Sequence, residues 1–151
     1  MYTYSIFCVK AKVGSHYFYK TEILYRFLKE FRENRSRNYL QLQYEYITEP
    51  LTLNIITSYI KLYTSEVVME KRDKHLKLYW KDKSLTIYED DLHVEFTCDS
   101  IEDAEYFLFP ALRKLKLYFF VTGHHVKDDY GWLSFIKRNK TINKQILYSY
   151  H

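Results

Sequence analysis

The chain has 151 residues, of which 47% are hydrophobic and 28% charged, and this usage predicts one globular domain and excludes a disordered chain. Its net charge of +4, from 23 basic and 19 acidic residues, neither requires nor excludes a nucleic-acid partner. Cys8 and Cys98 form no Cys-x-x-Cys motif and predict buried thiols in a reducing compartment. Because the start lacks a signal-peptide pattern and no apolar run reaches about 18 residues, we predict a soluble, cytoplasmic protein.

The first third of the chain predicts a strand followed by a helix. Side chains alternate in polarity over Tyr2–Val9, which is typical of a strand. Lys10–Ser15 is predicted to be a connecting loop in which Ser15 caps the next helix. The apolar stripe of that helix has helical spacing. Its members are Tyr17, Ile23, Leu24, Phe27, Leu28 and Phe31.

The next segment alternates again. In Tyr39–Ile47, leucine and tyrosine alternate with glutamine and glutamate, so the period of two predicts a second strand. Pro50 ends it, because proline cannot continue a ladder and suits the beginning of a helix. From Thr52 a second apolar helical stripe predicts a shorter helix. That stripe consists of Ile55, Ile56, Tyr59, Ile60 and Tyr63.

The second half predicts a charged connector over Glu66–Lys74 and then three closely spaced strands. The three strands are His75–Lys81, Leu85–Glu89 and Leu92–Cys98. Ser100 and Asp103 form a capping-box pattern that opens a helix, and Pro110 predicts a kink or a restart within it. Tyr118–Thr122 is the last predicted strand, closed by Gly123.

These elements predict an α+β fold in a single two-layer domain. We expect an antiparallel-rich mixed sheet with about three helices packed against it. The predicted domain spans residues 1–137. Residues 138–151 form a basic C-terminal tail whose composition is compatible with disorder.

The chain lacks the familiar motifs of catalysis. Its three glycines cannot build a phosphate-binding loop, and neither a Gly-x-Ser-x-Gly elbow nor a His-Glu-x-x-His helix occurs. Asp90-Asp91 and Asp128-Asp129 are interpreted as turn residues. His124-His125 is interpreted as a turn rather than a metal pair, because adjacent residues of an extended chain point in opposite directions. We therefore predict a non-enzymatic protein without a cofactor or a metal.

Two kinds of binding surface stay open at this point. Residues 71–81 interleave lysine with aromatic side chains, as a platform for single-stranded nucleic acid does, although a half-buried edge strand has the same pattern. The alternative is a protein-binding patch at Val13–Lys20, because neighbouring rings there cannot all face one side of a helix. Gln41, Gln43 and Glu45 offer a second polar contact surface.

Four short segments, spread over nearly the whole chain, carry a family resemblance. They are Tyr2-Thr3-Tyr4 with Ile6, His16-Tyr17-Phe18, Tyr46-Ile47-Thr48-Glu49-Pro50 and Tyr130-Gly131-Trp132-Leu133. In length, order and spacing the chain resembles the sporulation inhibitor of replication (SirA) family. Between Glu66 and Cys98 the match is only a pattern of strands.

The resemblance implies a non-enzymatic inhibitor of replication initiation that binds the N-terminal domain, domain I, of the initiator DnaA. It places the partner-binding residues at Val13, Tyr17 and Gln43, and adds His16 and Pro50 by proximity. Val13 departs from the aromatic residue expected there. Binding of nucleic acid through residues 71–81 is the less favoured alternative.

Overall fold

The computed structural model describes residues 1–64, 66–125 and 129–133. Within these ranges the chain forms eight strands and six helices. The strands are β1 (Tyr2–Val9), β2 (Thr48–Glu49), β3 (Val68–Arg72), β4 (His75–Trp80), β5 (Lys83–Glu89), β6 (Val94–Cys98), β7 (Tyr118–Gly123) and β8 (Tyr130–Leu133). The helices are α1 (Ala11–Tyr17), α2 (Thr21–Glu33), α3 (Asn38–Ile47), α4 (Leu53–Tyr63), α5 (Ile101–Phe107) and α6 (Phe109–Lys114).

The strands form one antiparallel sheet in the order β3-β4-β5-β6-β1-β7-β8, with β2 paired to the end of β1. The first strand lies between two partners from the second half of the chain. Ser5 is opposite Glu95 of β6 on one side and Thr122 of β7 on the other. The sheet is therefore assembled around the first element of the sequence.

Helices cover both faces of this sheet, and β1 contributes to two hydrophobic cores. Ile6 and Cys8 belong to the first core, which also holds the apolar faces of α4, α5 and α6. Phe7 and Val9 belong to the second core, with the apolar faces of α1, α2 and α3. This division follows from the strand period of two, because successive side chains of β1 point to opposite faces.

The α+β class predicted from the sequence is confirmed. The described residues hold six helices instead of about three. Their division between the faces makes three layers, rather than two, where β1 is covered on both sides. Too few helices and layers were predicted because most of α1 was predicted to be a loop and α3 was predicted to be a strand.

The prediction of a strand over Tyr39–Ile47 is wrong, because this segment forms α3. Leu40 and Tyr44, four residues apart, are the buried positions, while Leu42 and Tyr46 are exposed. The alternation in the sequence thus came from apolar side chains that face solvent. Leucine, glutamine and glutamate are good helix formers, and tertiary contacts of Tyr44 fix the helical register.

The prediction of a loop over Lys10–Ser15 is also wrong. Val13 and Gly14 are buried in α1, and the Ser15 hydroxyl donates to the carbonyl of Lys12 instead of capping the following helix. Gly14 is required by close packing, since a Cβ atom added there would lie 2.4 Å from Cγ of Tyr118. The predicted long helix is therefore two helices, α1 and α2.

Other predicted elements are confirmed. The N-cap of α4 is Thr52, β4, β5 and β6 form a meander, and the chain restarts as α6 with Pro110 in its first turn. The Ser100 hydroxyl accepts a hydrogen bond from the amide of Glu102 and caps α5. Three strands were missed: β2 follows α3 and pairs with β1, β3 lies within the predicted connector, and β8 extends the sheet beyond β7. The predicted tail, 138–151, lies outside the described residues.

Candidate partner-binding surface

One face of α3 presents a row of large side chains to solvent. Tyr39, Leu42 and Tyr46 are 57%, 68% and 64% exposed, and their spacing of three and four residues places them on the same side of the helix. Gln43 is exposed and lies on the same side of the helix, four residues after Tyr39 and three before Tyr46. We call these four residues the α3 row.

The opposite face of α3 is fixed to the body of the domain through Tyr44. Its ring stacks on Phe31 of α2 with centroids 4.2 Å apart and meets the edge of Phe7 at 6.2 Å. Its hydroxyl donates to the backbone carbonyl of Leu92 at 2.6 Å. Burial raises the pKa of the Tyr44 hydroxyl, so it stays a donor at neutral pH. The α3 row therefore sits on a fixed support.

The first helix carries three of the residues that the resemblance assigns to partner binding. His16 is exposed, Tyr17 is half-buried and Val13 is buried. The His16 and Tyr17 rings meet edge to face at 4.9 Å, and the Lys20 ammonium lies 5.8 Å from the centre of the Tyr17 ring. The Tyr17 ring is packed against the second core, and the buried Val13 side chain belongs to that core and so holds α1 against it.

Lys10 joins the start of α1 to the end of α3. Its amide donates to the carbonyl of Ile47 at 2.9 Å, and its ammonium lies 5.8 Å from the centre of the Tyr46 ring. Next to this contact, β2 pairs with the last residues of β1, and the exposed Pro50 follows directly. The structure therefore brings the start of α1, the end of α3 and the segment before Pro50 to one edge of the second core.

A family model described as sporulation inhibitor of replication protein SirA matches residues 2–137. The chain belongs to the SirA family. No curated protein matches it. The resemblance noted in the sequence is thereby confirmed, and the function attached to the SirA family is inhibition of replication in sporulation, which is a regulatory function rather than a catalytic one. None of the helices in the described ranges is long and apolar enough to cross a membrane.

Sequence reasoning missed three members of the α3 row in this SirA-family chain. Leu42 and Tyr46 were placed with Leu40 and Tyr44 on one face of a predicted strand, and Tyr39 was given no role. A helical reading would have separated them from Leu40 and Tyr44, since the five residues cannot share one helix face. The sequence therefore contains the spacing of the α3 row, but this spacing identifies an exposed face only if the segment is known to be a helix.

The alternative surface lies on the far part of the sheet, where none of the six described helices covers β3, β4 and β5 on one face. A groove of about 400 Å³ there is lined by Glu70, Arg72, His75, Lys77, Thr86 and Tyr88. The Tyr79 hydroxyl donates to the Glu70 carboxylate at 2.6 Å, and the Lys77 ammonium lies 5.7 Å from the Tyr79 ring centre. One acidic and one basic side chain thus engage the Tyr79 ring, which belongs to the segment that a nucleic-acid platform would use.

One set of side chains among the described residues has the composition of a metal site. Atoms of Asp90, His93 and Glu95 lie within 4.8 Å of one another. His124 is next to this set, with its Nε2 atom 4.0 Å from Oε2 of Glu95. The Asp90 carboxylate is already held by both terminal nitrogens of Arg35, each at 3.0 Å.

Proposed function

We propose that this SirA-family chain inhibits replication initiation by binding domain I of DnaA through the α3 row and α1. In this proposal Gln43 and Tyr17 make direct contacts, His16 and Pro50 lie at the margin, and Val13 supports α1. The complex covers a surface of the initiator that is needed for its self-assembly or for a helper protein. The inhibitor therefore acts by occupancy, in the cytoplasm where the initiator meets the origin.

Support comes first from the α3 row itself. Exposed apolar surface is unfavourable by roughly 25 cal/mol per Å². The three large exposed side chains on one helix face therefore raise the free energy of the unbound protein. A partner that covers them recovers this free energy. Tyrosine is enriched at the energetic centres of interfaces because its large ring and hydroxyl combine apolar contact with hydrogen bonding.

Support comes also from the rigidity of the row. Tyr44 is held by Phe31 and by the carbonyl of Leu92, and the Thr48 hydroxyl donates to the carbonyl of Tyr44 at 2.8 Å, which closes the end of α3. A preorganised surface loses less conformational entropy on binding. An interface of about 800 Å² per partner, with two or three anchoring side chains, then suffices for a specific complex.

Calorimetric titration of the full chain with isolated DnaA domain I tests this proposal. We expect Gln43→Ala, Leu42→Ala and Tyr17→Ala each to weaken binding at least about tenfold, as loss of an anchoring side chain does. Leu62→Ala is the matched control, since Leu62 is an equally exposed leucine (71%) on α4, against the opposite face of the sheet. It should bind like the unmodified chain.

Three results would contradict the proposal. Absence of heat at micromolar concentrations argues against DnaA domain I as the partner. Equal effects of Leu42→Ala and Leu62→Ala argue against the α3 row as the contact. Binding of a fluorescent oligonucleotide that weakens steeply with salt would instead favour the groove between β3 and β5 as a nucleic-acid site.

A further inference from the structure

Four polar side chains from three neighbouring strands converge on one point of the sheet. Glu95 lies in β6, Ser5 in β1, and the two strands pair so that these residues are directly opposite. His93 comes just before β6, and His124 follows β7, with its amide bonded to the carbonyl of Thr3. The pairing of β6, β1 and β7 is therefore what assembles the cluster.

The distances within the cluster are short. The Ser5 hydroxyl oxygen lies 2.6 Å from Nε2 of His124 and 3.3 Å from Nε2 of His93. Oε2 of Glu95 lies 3.0 Å from the same nitrogen of His93. Two imidazole nitrogens and a carboxylate oxygen thus point toward the space around Ser5.

This geometry differs from that of a nucleophilic triad. In a triad the carboxylate binds one ring nitrogen of the histidine, and the hydroxyl binds the other. Here Glu95 and Ser5 both contact Nε2 of His93. A carboxylate on that nitrogen competes with the hydroxyl and cannot orient the ring to accept its proton.

The hydrogen bonds of the cluster leave one buried atom unsatisfied. Nδ1 of His93 is buried and has no hydrogen-bond partner among the described residues. The side chain of His93 is only 1% exposed, whereas those of Glu95 and His124 are 27% and 25% exposed. Nδ1 lies on the other side of the imidazole from Nε2, so it takes no part in the cluster; at the Nε2 side, His93 forms a buried floor, and Glu95 and His124 form a rim that is about one quarter exposed.

We propose that His93, Glu95 and His124 bind a divalent cation of the zinc class. Two neutral imidazoles with one carboxylate are a recurrent ligand set for Zn²⁺, in which a fourth position is left to water. The Ser5 hydroxyl lies beside that position. Asp90 is not counted as a ligand, because Arg35 holds its carboxylate on both sides.

The ligand set also selects against hard cations. Mg²⁺ and Ca²⁺ prefer oxygen ligands and several carboxylates, whereas this cluster offers two nitrogens and a single carboxylate that no arginine holds. The positive charge of Arg32 also acts on His124. It therefore weakens the attraction of this site for a cation that is held by charge alone. Imidazole favours Zn²⁺ and its neighbours in the transition series.

An ion at this place would link the start of β6 to the end of β7 across β1. It would stabilise the folded domain in proportion to its occupancy, since the unfolded chain does not hold the three ligands together. The pairing of His124 with His125 plays no part in it. Only one residue of that pair faces the cluster, as the alternation of an extended chain requires.

The test is calorimetric titration of the full chain, treated with EDTA and dialysed, with ZnCl₂ and with MgCl₂. We expect one Zn²⁺ site of micromolar or tighter affinity, no heat with Mg²⁺, and a melting temperature that rises with Zn²⁺ concentration. Replacement of Zn²⁺ by Co²⁺ should give visible absorption bands of a four-coordinate site. Absence of Zn²⁺ binding overturns the proposal.

Variants locate the ion. His124→Gln and Glu95→Gln should each weaken Zn²⁺ binding at least about tenfold, because even changes behind a ligand cost about that much. Both residues are about one quarter exposed, so these variants stay informative even if His93→Gln, at a buried position, does not fold. His125→Gln is the matched control and should bind Zn²⁺ normally. Loss of binding in His125→Gln but not in His124→Gln would assign the ion to the surface and overturn the proposal.

Discussion

The hydroxyl of Tyr44 on α3 donates a hydrogen bond of 2.6 Å to the backbone carbonyl of Leu92, which lies between β5 and β6. This contact ties the helix that carries Gln43 to a connection from the other half of the chain. It also sets the rotation of α3 about its axis. With Tyr44 turned inward, Leu42 and Tyr46 necessarily face solvent.

We expect Tyr44→Phe to lower the free energy of unfolding by about 1 kcal/mol, the usual net value of one hydrogen bond in a protein. The ring contacts with Phe31 and Phe7 are retained, so the change isolates the hydroxyl. Urea denaturation followed by circular dichroism measures it. Tyr46→Phe is the control: Tyr46 is exposed, and its substitution should leave stability nearly unchanged. Equal stability of the two variants would show that the Leu92 contact contributes nothing.

Gly14→Ala should destabilise the domain by roughly 1–3 kcal/mol, the usual cost of overpacking. The added Cβ would lie 2.4 Å from Cγ and 2.9 Å from Cβ of Tyr118. Either α1 or the Tyr118 side chain on β7 therefore has to move. Thermal melting measures the loss. Ser15→Ala, at the next and exposed position of α1, should leave the melting temperature close to that of the unmodified chain. An unchanged melting temperature in Gly14→Ala would contradict the close approach of α1 to β7.

Much of the fold was predictable from local patterns. The meander of β4, β5 and β6 followed from short breaks between alternating runs, and Ser100 and Pro110 marked where α5 begins and where α6 restarts. The short strand β8 was not predictable in this way. Its four residues are a strand only because β7, elsewhere in the chain, offers an edge to pair with.

The candidate surfaces were less predictable than the fold. Gln43 and Tyr17 came from the family resemblance, but the exposed row around Gln43 depends on α3 being a helix, and tertiary contacts of Tyr44 decide that. The cluster around Ser5 depends on register between distant strands, since Ser5 and His124 are separated by 119 positions. The spacing of His93 and Glu95, two apart within the predicted strand Leu92–Cys98, was the only local signal of it.

The ion pair of Arg35 and Asp90 predicts a pH dependence of stability. Burial by itself raises the pKa of the Asp90 carboxyl, but the hydrogen bond and the charge of Arg35, with the charge of His93, outweigh it and hold this pKa below its usual range. A carboxyl whose pKa is lower in the folded state stabilises the fold above the unfolded pKa, and this contribution is lost as pH falls through the folded pKa.

We therefore expect Asp90→Asn to lower the free energy of unfolding at neutral pH by up to about 1 kcal/mol, the range for a partly exposed ion pair. The difference from the unmodified chain should shrink in acid and vanish below the folded pKa. Urea denaturation at a series of pH values measures it. Asp91→Asn is the neighbouring control, because Asp91 is 85% exposed and lies 3.5 Å from Lys74. A difference that grows toward acid would contradict the sign of the shift.

Both cysteines should be unreactive in the folded protein. Burial, with a smaller contribution from Glu49, raises the pKa of the Cys8 thiol to about 12, and burial, with Asp103 and Asp99, raises that of Cys98 to about 11. A thiol whose pKa is higher in the folded state gives its full stabilisation below the unfolded pKa, and loses it as pH rises above that value. Alkaline solution should therefore lower the free energy of unfolding.

Reaction with a thiol-specific disulfide reagent at neutral to mildly alkaline pH checks both statements. We expect no labelling of the native chain over minutes and two equivalents of label in urea, because only the exposed thiolate reacts. The single-cysteine variants Cys8→Ala and Cys98→Ala assign each rate to its residue. Native labelling as fast as in urea would show that the strand carrying that cysteine opens readily.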